Sequence, residues 1–343
     1  MVVFTFIKMP KTPQPTIYDV AHKAGVSIAT VSRVLNASSQ VRAATRNRVL
    51  AAVEELGFIP RAEAVARARS VIGRIGIISP FFTIPSFAQR MRGVATVLAN
   101  SPYELVIYTV DSLIRYESFL ATLPLNQQLD GLIINALPME DRVAKRLKEN
   151  ALGIVLIENS HPFFSSVTID DQLGGNLAAA HLLRKGHRKF GFLDFGSLPE
   201  YALEPGIERL KGFQLRLKTA GIDLDKHYIK RPPMQDLVET RRQIEELLAL
   251  PDPPTAIFAA ADYLVLSLIR VAQEKGLRIP EDLAIIGFDD IEVADLIGIT
   301  TISQSLDESG QIAARLLLDL LSNPEKSLQN ITLQLDLIER KTG

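Results

Sequence analysis

The sequence predicts an α/β protein in which a small all-α helix-turn-helix headpiece joins a two-lobed core of doubly wound parallel sheets. Three observations lead there. Residues 18–36 carry two short helical stripes split by a glycine and a serine, and a third stripe closes at Leu56. From Arg74 the texture changes to short apolar β-rich runs alternating with amphipathic stretches, the pattern of a parallel sheet with crossover helices. Eight such runs over about 270 residues exceed one sheet of ordinary size, so the core divides into two lobes.

In the first stripe, Tyr18 to Ala24, residues Val20, Ala21 and Ala24 fall on one side. Gly25 supplies the left-handed backbone of a tight turn. Ser27 stands where its hydroxyl can accept from the open amides of the next helix. That helix turns Val31 and Leu35 inward, Ser32 and Arg33 outward. After the polar loop "ASSQV" a third helix runs from about Thr45 to Leu56, with Val49, Val53 and Leu56 at helical spacing and Gly57 as its cap. Two helices around a tight turn form a helix-turn-helix, whose second helix reads the DNA major groove. Arg42, Arg46 and Arg48, near the amino end of the third helix, suit phosphates, contacts that set register without reading bases.

The rival reading of this segment is an ordinary helical hairpin, and charge weakens it. Residues 1–70 hold ten Lys or Arg against four acids, a net +6, while the whole chain carries −1; the remainder is therefore −7. A basic segment on an acidic body implies different partners for the two, nucleic acid for the first. Pro60 ends the third helix, and "RAEAVARARS" follows: alanine-rich, basic and too poor in large side chains to be more than a marginal helix.

The core runs are "RIGIISP", "YELVIYTV", "DGLIINAL", "GIVLIEN", "SSVTID", "KFGFLDF", "TAIFAA" and "LAIIGFD". Stretches such as "FAQRMRGVATVLAN" and "GNLAAAHLLRKG" supply helices between them. In such folds a ligand sits at the carboxyl ends of the strands, in the crevice between lobes.

Hydrophobic content of 47% with 22% charged residues describes a soluble globular chain, not a disordered one. The absence of cysteine excludes disulfides, thiolate chemistry and cysteine zinc sites, and fits a reducing cytoplasm. No apolar run approaches the roughly 18 residues of a membrane span, so no membrane partner is expected. The opening "MVVFTFIKMP" is apolar but lacks the basic start and cleavage site of a signal peptide. It reads as a disordered extension over residues 1–15, with Met9 as an alternative start. No glycine-rich dinucleotide motif or P-loop appears, and five scattered histidines show no metal spacing. No cofactor, metal or catalytic residue is expected; His187 in "KGHRKFG" is the tempting general base but reads better as a structural loop residue.

The order "TIYDVAHKAGVSIATVSRVLN", "VRAATRNRVLAAVEELGFIP", "DGLIIN", "LLRKGHRKFGFL", "ERLKGF", "RIPEDLAIIGFDD" and "TTISQ" resembles the LacI/GalR family of bacterial transcriptional repressors over essentially the whole chain from Thr16. One helix-turn-helix is a modest signal; this succession of motifs is specific. The resemblance implies a homodimer on a palindromic operator DNA and a periplasmic-binding-protein-like core whose crevice takes a small effector, a sugar or nucleobase. It also implies the division into a headpiece at 16–60, a hinge helix or linker at 61–72 and a core at 73–343. Within the core the N-lobe takes about 73–170 and 304–331, the C-lobe about 171–303 and 332–343.

Carried over by motif, Ile28, Ala29 and Arg33 face base edges, Arg33 able to hold a guanine by two bonds and the other two limited to apolar contact. Thr16, Ser27, Thr30, Ser32 and Asn36 become phosphate contacts or caps, and Arg46 a phosphate contact. The family's minor-groove leucine falls on Arg67. A guanidinium makes a poor wedge between base pairs but suits the negative potential of a narrow A·T-rich groove. In the crevice the matches are Asn135, Glu158, Arg209, Asp262, Asp289 and Gln304, an assortment of fork, acceptors and amides that suits a polyhydroxylated ligand. Phe81, Phe82 and Phe87 in "PFFTIPSFAQ" correspond to an aromatic-bearing segment, and Phe81 and Phe87 are the candidates to stack on a sugar face.

Three departures make the effector non-transferable from any relative. Ala261 stands where the family often has an amide, Pro205 where a polar contact is common, and no aromatic accompanies Pro232 and Pro233. The end "LDLIERKTG" has no leucine heptad, which favours a dimer over a coiled-coil tetramer. The alternatives are a doubly wound enzyme, a solute-binding protein, and a regulator that answers to a nucleobase or to a protein corepressor.

Overall fold

The computed structural model describes residues 15–36, 41–56, 73–124, 129–149, 152–196 and 198–343. It separates into two units, 1–72 and 73–343. Expectations for the N-terminal extension, for Gly57 and Pro60, and for the hinge with Arg67 lie outside the described residues, as do those for the side chains of Leu35 and Asn36.

The first unit holds α1 (Ile17–Ala24), α2 (Ile28–Asn36) and α3 (Ala43–Leu56), the last starting two residues before the expected Thr45. Thr16 and Asp19 open α1: the Asp19 carboxylate accepts from the Thr16 amide at 2.7 Å and from its hydroxyl at 2.6 Å. Gly25 ends it at φ +61°, a conformation with no Cβ to strain. The Ser27 hydroxyl accepts from the Thr30 amide at 3.2 Å and so caps α2. Val20, Ala21, Ala24, Val31, Val34, Val49 and Ala52 form the buried centre of this unit. Val34, not singled out in the sequence, shares the inward face of α2 with Val31.

The second unit is two six-stranded sheets. The first has β1 (Gly73–Pro80), β2 (Tyr103–Val110), β3 (Gly131–Asn135), β4 (Gly153–Ile157), β5 (Ser165–Thr168) and β11 (Asn330–Thr332), in the order β11-β5-β4-β3-β1-β2. The second has β6 (Phe190–Leu193), β7 (Ile229–Lys230), β8 (Ala256–Ala259), β9 (Ala284–Asp289), β10 (Thr300–Ser303) and β12 (Asp336–Ile338), in the order β12-β10-β9-β8-β6-β7. All pairings are parallel except β10 with β12. The chain passes between sheets after β5, after β10 and after β11.

Helices cover both faces, and two pairs of them pack backbone against backbone. In the first, α4 (Pro85–Leu98) lies on α12 (Leu306–Ser322): a Cβ on Gly93 would fall 2.0 Å from the Asp307 carbonyl oxygen, and one on Gly310 2.0 Å from that of Arg90. In the second, α7 (Asp171–Arg184) lies on α8 (Pro205–Thr219): a Cβ on Gly175 would fall 1.9 Å from the Arg209 carbonyl oxygen, and one on Gly212 1.9 Å from that of Gln172. Glycine at these points lets backbones touch, and the touching sets the height at which Arg90 and Arg209 leave their helices.

Candidate functional site

In the headpiece, the amino end of α2 presents its side chains outward. Ser27, Ile28, Ala29 and Arg33 are exposed, Thr30 and Ser32 half-buried. An isoleucine 40% exposed on a helix with a well-filled inner face is an available contact, not a packing element. Thr16 is committed to Asp19 and Ser27 to Thr30, whose hydroxyls lie 2.9 Å apart, so both serve as caps whatever else they touch. Arg46 is half-buried on α3.

In the core, a cavity of about 820 Å³, counting the space open to solvent, lies between the two sheets at the carboxyl ends of their strands. Phe81, Phe87, Glu158, Arg209, Asp289 and Gln304 all line it, drawn from helices, loops and a strand end of both lobes. The backbone marks the same place independently. Among the described residues seven non-glycines have positive φ, and four of them line the cavity: Phe81 at 47°, Ala136 at 53°, Glu158 at 59° and Asp289 at 115°. Such conformations cost roughly 1–3 kcal/mol each and persist where the surroundings over-determine them, most often at binding sites.

Arg209 anchors the C-lobe side. Its guanidinium lies 3.6 Å from the centroid of Phe288, donates to Asp171 Oδ1 at 2.8 Å and to the Ala260 carbonyl at 2.6 Å, and stands 3.8 Å from Asp289 Oδ1. Burial alone would favour its loss of charge; Asp171 and Asp289 outweigh that and hold it protonated. Burial pushes the Asp289 carboxyl up to about 6 against the pull of Arg209, and Asp171 rises for the same reason. Gln304 donates its amide to Asp289 Oδ1 at 2.5 Å.

The N-lobe side turns on a residue absent from the motif-based set. Arg90, on the inward stripe of α4, is 2% exposed. It donates to Ser309 Oγ at 3.0 Å, to Gln304 Oε1 at 3.0 Å and to Glu158 Oε1 at 2.5 Å. Arginine has no acceptor, so this contact fixes the orientation of the Gln304 amide and leaves its NH₂ for Asp289. One chain of polar contacts thus runs Arg90–Gln304–Asp289–Arg209 from N-lobe to C-lobe under the cavity. The signal in the sequence was an arginine at the register of Ser86 and Val94, both buried.

Two expected residues do not join the wall, which corrects the motif-based set. Asn135 is fully buried on β3, donating to Ser79 Oγ at 3.0 Å, and the next residue, Ala136, lines the cavity instead. Asp262, at the start of α10 (Asp262–Glu274), turns inward and accepts from the Thr301 hydroxyl at 2.7 Å and the Ile291 amide at 3.0 Å; Ala261 lines the cavity in its place. Burial, then Asp289, holds Asp262 well above the usual carboxylate range. His187 also lies off the wall, bonded to Thr255 at 3.0 Å.

The wall also holds Asp194 and Glu204, which the motifs did not single out, with Phe195, Tyr263 and Met234 as apolar partners. Burial pushes Asp194 up to about 6, with Arg231 opposing from 3.4 Å.

Comparison with known proteins agrees with both units. Residues 16–61 match the model of bacterial regulatory proteins of the lacI family, and 179–342 that of the periplasmic binding protein-like domain. Catabolite control protein A of Priestia megaterium is 32% identical over 309 residues, covering 88% of this chain and 91% of that protein. A LacI family regulator of Enterococcus faecium, solved with bound ribose, superposes at a TM-score of 0.69 with 30% identity, over 78% of this chain and 98% of its own. The Lac repressor dimer bound to operator and the anti-inducer ONPF gives 0.71 with 28% identity, over 96% and 99%. The chain therefore belongs to the LacI family of bacterial transcriptional repressors, with a helix-turn-helix DNA-binding domain and an effector-binding core.

Proposed function

We propose that this protein is a cytoplasmic repressor that binds a palindromic operator as a homodimer and changes its grip when a small polyol, a sugar or sugar derivative, occupies the crevice. The observation that carries the reading is the wall composition: a guanidinium, carboxylates and an amide together with Phe81 and Phe87, whose rings meet edge to face at 5.8 Å. Sugars present that combination, an apolar ring face and a rim of hydroxyls. The solved relatives that hold cellobiose and ribose support the ligand class. Base reading falls to Arg33, Ile28 and Ala29 and phosphate binding to Arg46, with Arg67 in the minor groove. The dimer presents two copies of α2 to two half-sites.

A phosphorylated sugar fits less well, because the one lining guanidinium, Arg209, is already engaged by Asp171 and the Ala260 carbonyl. The test is a thermal-shift screen of neutral sugars, amino sugars, sugar phosphates and nucleobases, followed by operator binding with each hit. A neutral or amine-bearing sugar should raise the melting temperature, since a ligand held only by the folded state stabilises it. A hit confined to nucleobases or phosphates would overturn the polyol reading.

A further inference from the structure

Resting on the crevice as the effector site, we propose that the effector is an amine-bearing polyol, an amino sugar in its protonated form, and that Asp194 accepts its ammonium group. Three guanidinium groups stand in or directly behind the wall, and five carboxylates face them. Arg90 pairs with Glu158 at 2.5 Å. Arg209 takes Asp171 at 2.8 Å and Asp289 at 3.8 Å, the latter also held by Gln304 at 2.5 Å. Arg231 takes Glu204 at 2.9 Å and reaches Asp194 only at 3.4 Å, because the same Nη2 also donates to the Phe195 carbonyl at 3.1 Å. Of these five, Asp194 is the carboxylate with no side-chain hydrogen-bond donor among the described residues, held only by the Phe195 backbone and the shared Arg231, and the set as a whole carries two negative charges in excess.

Asp194 is built in rather than incidental. It follows the last residue of β6, is 7% exposed, and lines the cavity. Gly206 makes room for it in the first turn of α8: a Cβ there would sit 2.1 Å from Asp194 Oδ2. Any larger residue at 206 would push the carboxylate aside. A buried surplus of negative charge is satisfied by protons or by a cation. The elevated positions of Asp194 and Asp289, both at about 6, express the first recourse, protons. An ammonium brought by a ligand is the second, and it gains a charge-assisted hydrogen bond in a water-poor site.

The experiment is calorimetric titration of the full-length protein at neutral pH with matched pairs: D-glucosamine and D-glucose, D-galactosamine and D-galactose, and the glucosamine disaccharide and cellobiose. In each pair that binds, the amine member should bind about tenfold more tightly, the difference between a charged and a neutral hydrogen bond. Asp194→Asn should erase the preference, the amine member falling to the affinity of its neutral partner for the same variant. A neutral member that binds as tightly as its amine partner, or a preference that survives Asp194→Asn, would overturn the proposal. Arg209→Ala separates the two levels: if both members bind that variant as they bind the wild type, the crevice itself is not the site.

Discussion

Replacing Arg90 by leucine removes the donor from three acceptors at once: half-buried Glu158 at 2.5 Å, and buried Gln304 and Ser309, each at 3.0 Å. The serious loss is electrostatic. Removing one partner of a buried ion pair costs about 3–5 kcal/mol, most of it from the charge left behind. The Arg90 side chain is 2% exposed and that of Glu158 16%, so water relieves the orphaned carboxylate only slightly. The low end applies, about 3 kcal/mol. Glu158→Gln added to Arg90→Leu removes the stranded charge, so the double variant should recover most of that, about 2 kcal/mol. Urea unfolding followed by far-ultraviolet circular dichroism measures it, the single variant lowering the midpoint by about 1 M if the core's slope is near 3 kcal/mol per molar. Effector affinity should fall in the single variant too, since Gln304 loses the contact that orients its amide toward Asp289. Additive single and double variants, with no recovery, would refute the reasoning: Glu158 would then be solvated well enough to stand alone.

Arg209→Ala should abolish the effector response in a mobility-shift assay while leaving operator affinity nearly intact; an unchanged response would remove Arg209 from the site. Arg33→Ala should cost about 1–3 kcal/mol on the specific operator and relax preference at one base pair per half-site. Arg46→Ala should instead weaken binding to all DNA alike and flatten its salt dependence, and equal losses of specificity from both would contradict the division of labour. The fourth expectation concerns pH. Asp289 is raised from 3.8 to about 6, so the folded state keeps a proton that the unfolded chain has released. The stability this contributes is full below about pH 4 and lost as pH rises through about 6. Without effector, the stability of the wild type relative to Asp289→Asn should therefore fall over that window, by up to about 3 kcal/mol. A flat difference would show that burial does not outweigh Arg209 and Gln304 at Asp289.

The elements legible in the sequence are those whose hydrophobic period is long enough to register. All three headpiece helices and the eight apolar core runs correspond to helices and strands. The four strands passed over are β7, β10, β11 and β12. β7 has two residues and β11 and β12 three each, edge pieces whose side chains are half-buried or exposed. β10 is a different case: Thr300 and Thr301 are fully buried, but their hydroxyls are bonded, Thr301 to Asp262 and Thr300 to the amides of Arg340 and Gly343. Polar residues pass as loop in a hydrophobicity reading, and only the tertiary partners make them buriable.

The site divides the same way. A motif puts a residue at the right strand end without saying which way its side chain points. Asn135 and Asp262 sit at such ends, yet each turns into the protein and leaves its alanine neighbour at the wall. Arg90 is the converse. It follows from no motif, but an arginine on the inward stripe of an amphipathic helix must bring an acceptor with it, and the acid that answers lies 68 residues on, at Glu158. That pairing changes what the motif implied for Glu158. With one oxygen held by Arg90, Glu158 has a single oxygen left with which to take an effector hydroxyl, whereas Asp194 meets its guanidinium, Arg231, only at 3.4 Å. The ammonium site proposed above accordingly stands at the end of β6 and not at the end of β4, where the family's motifs pointed.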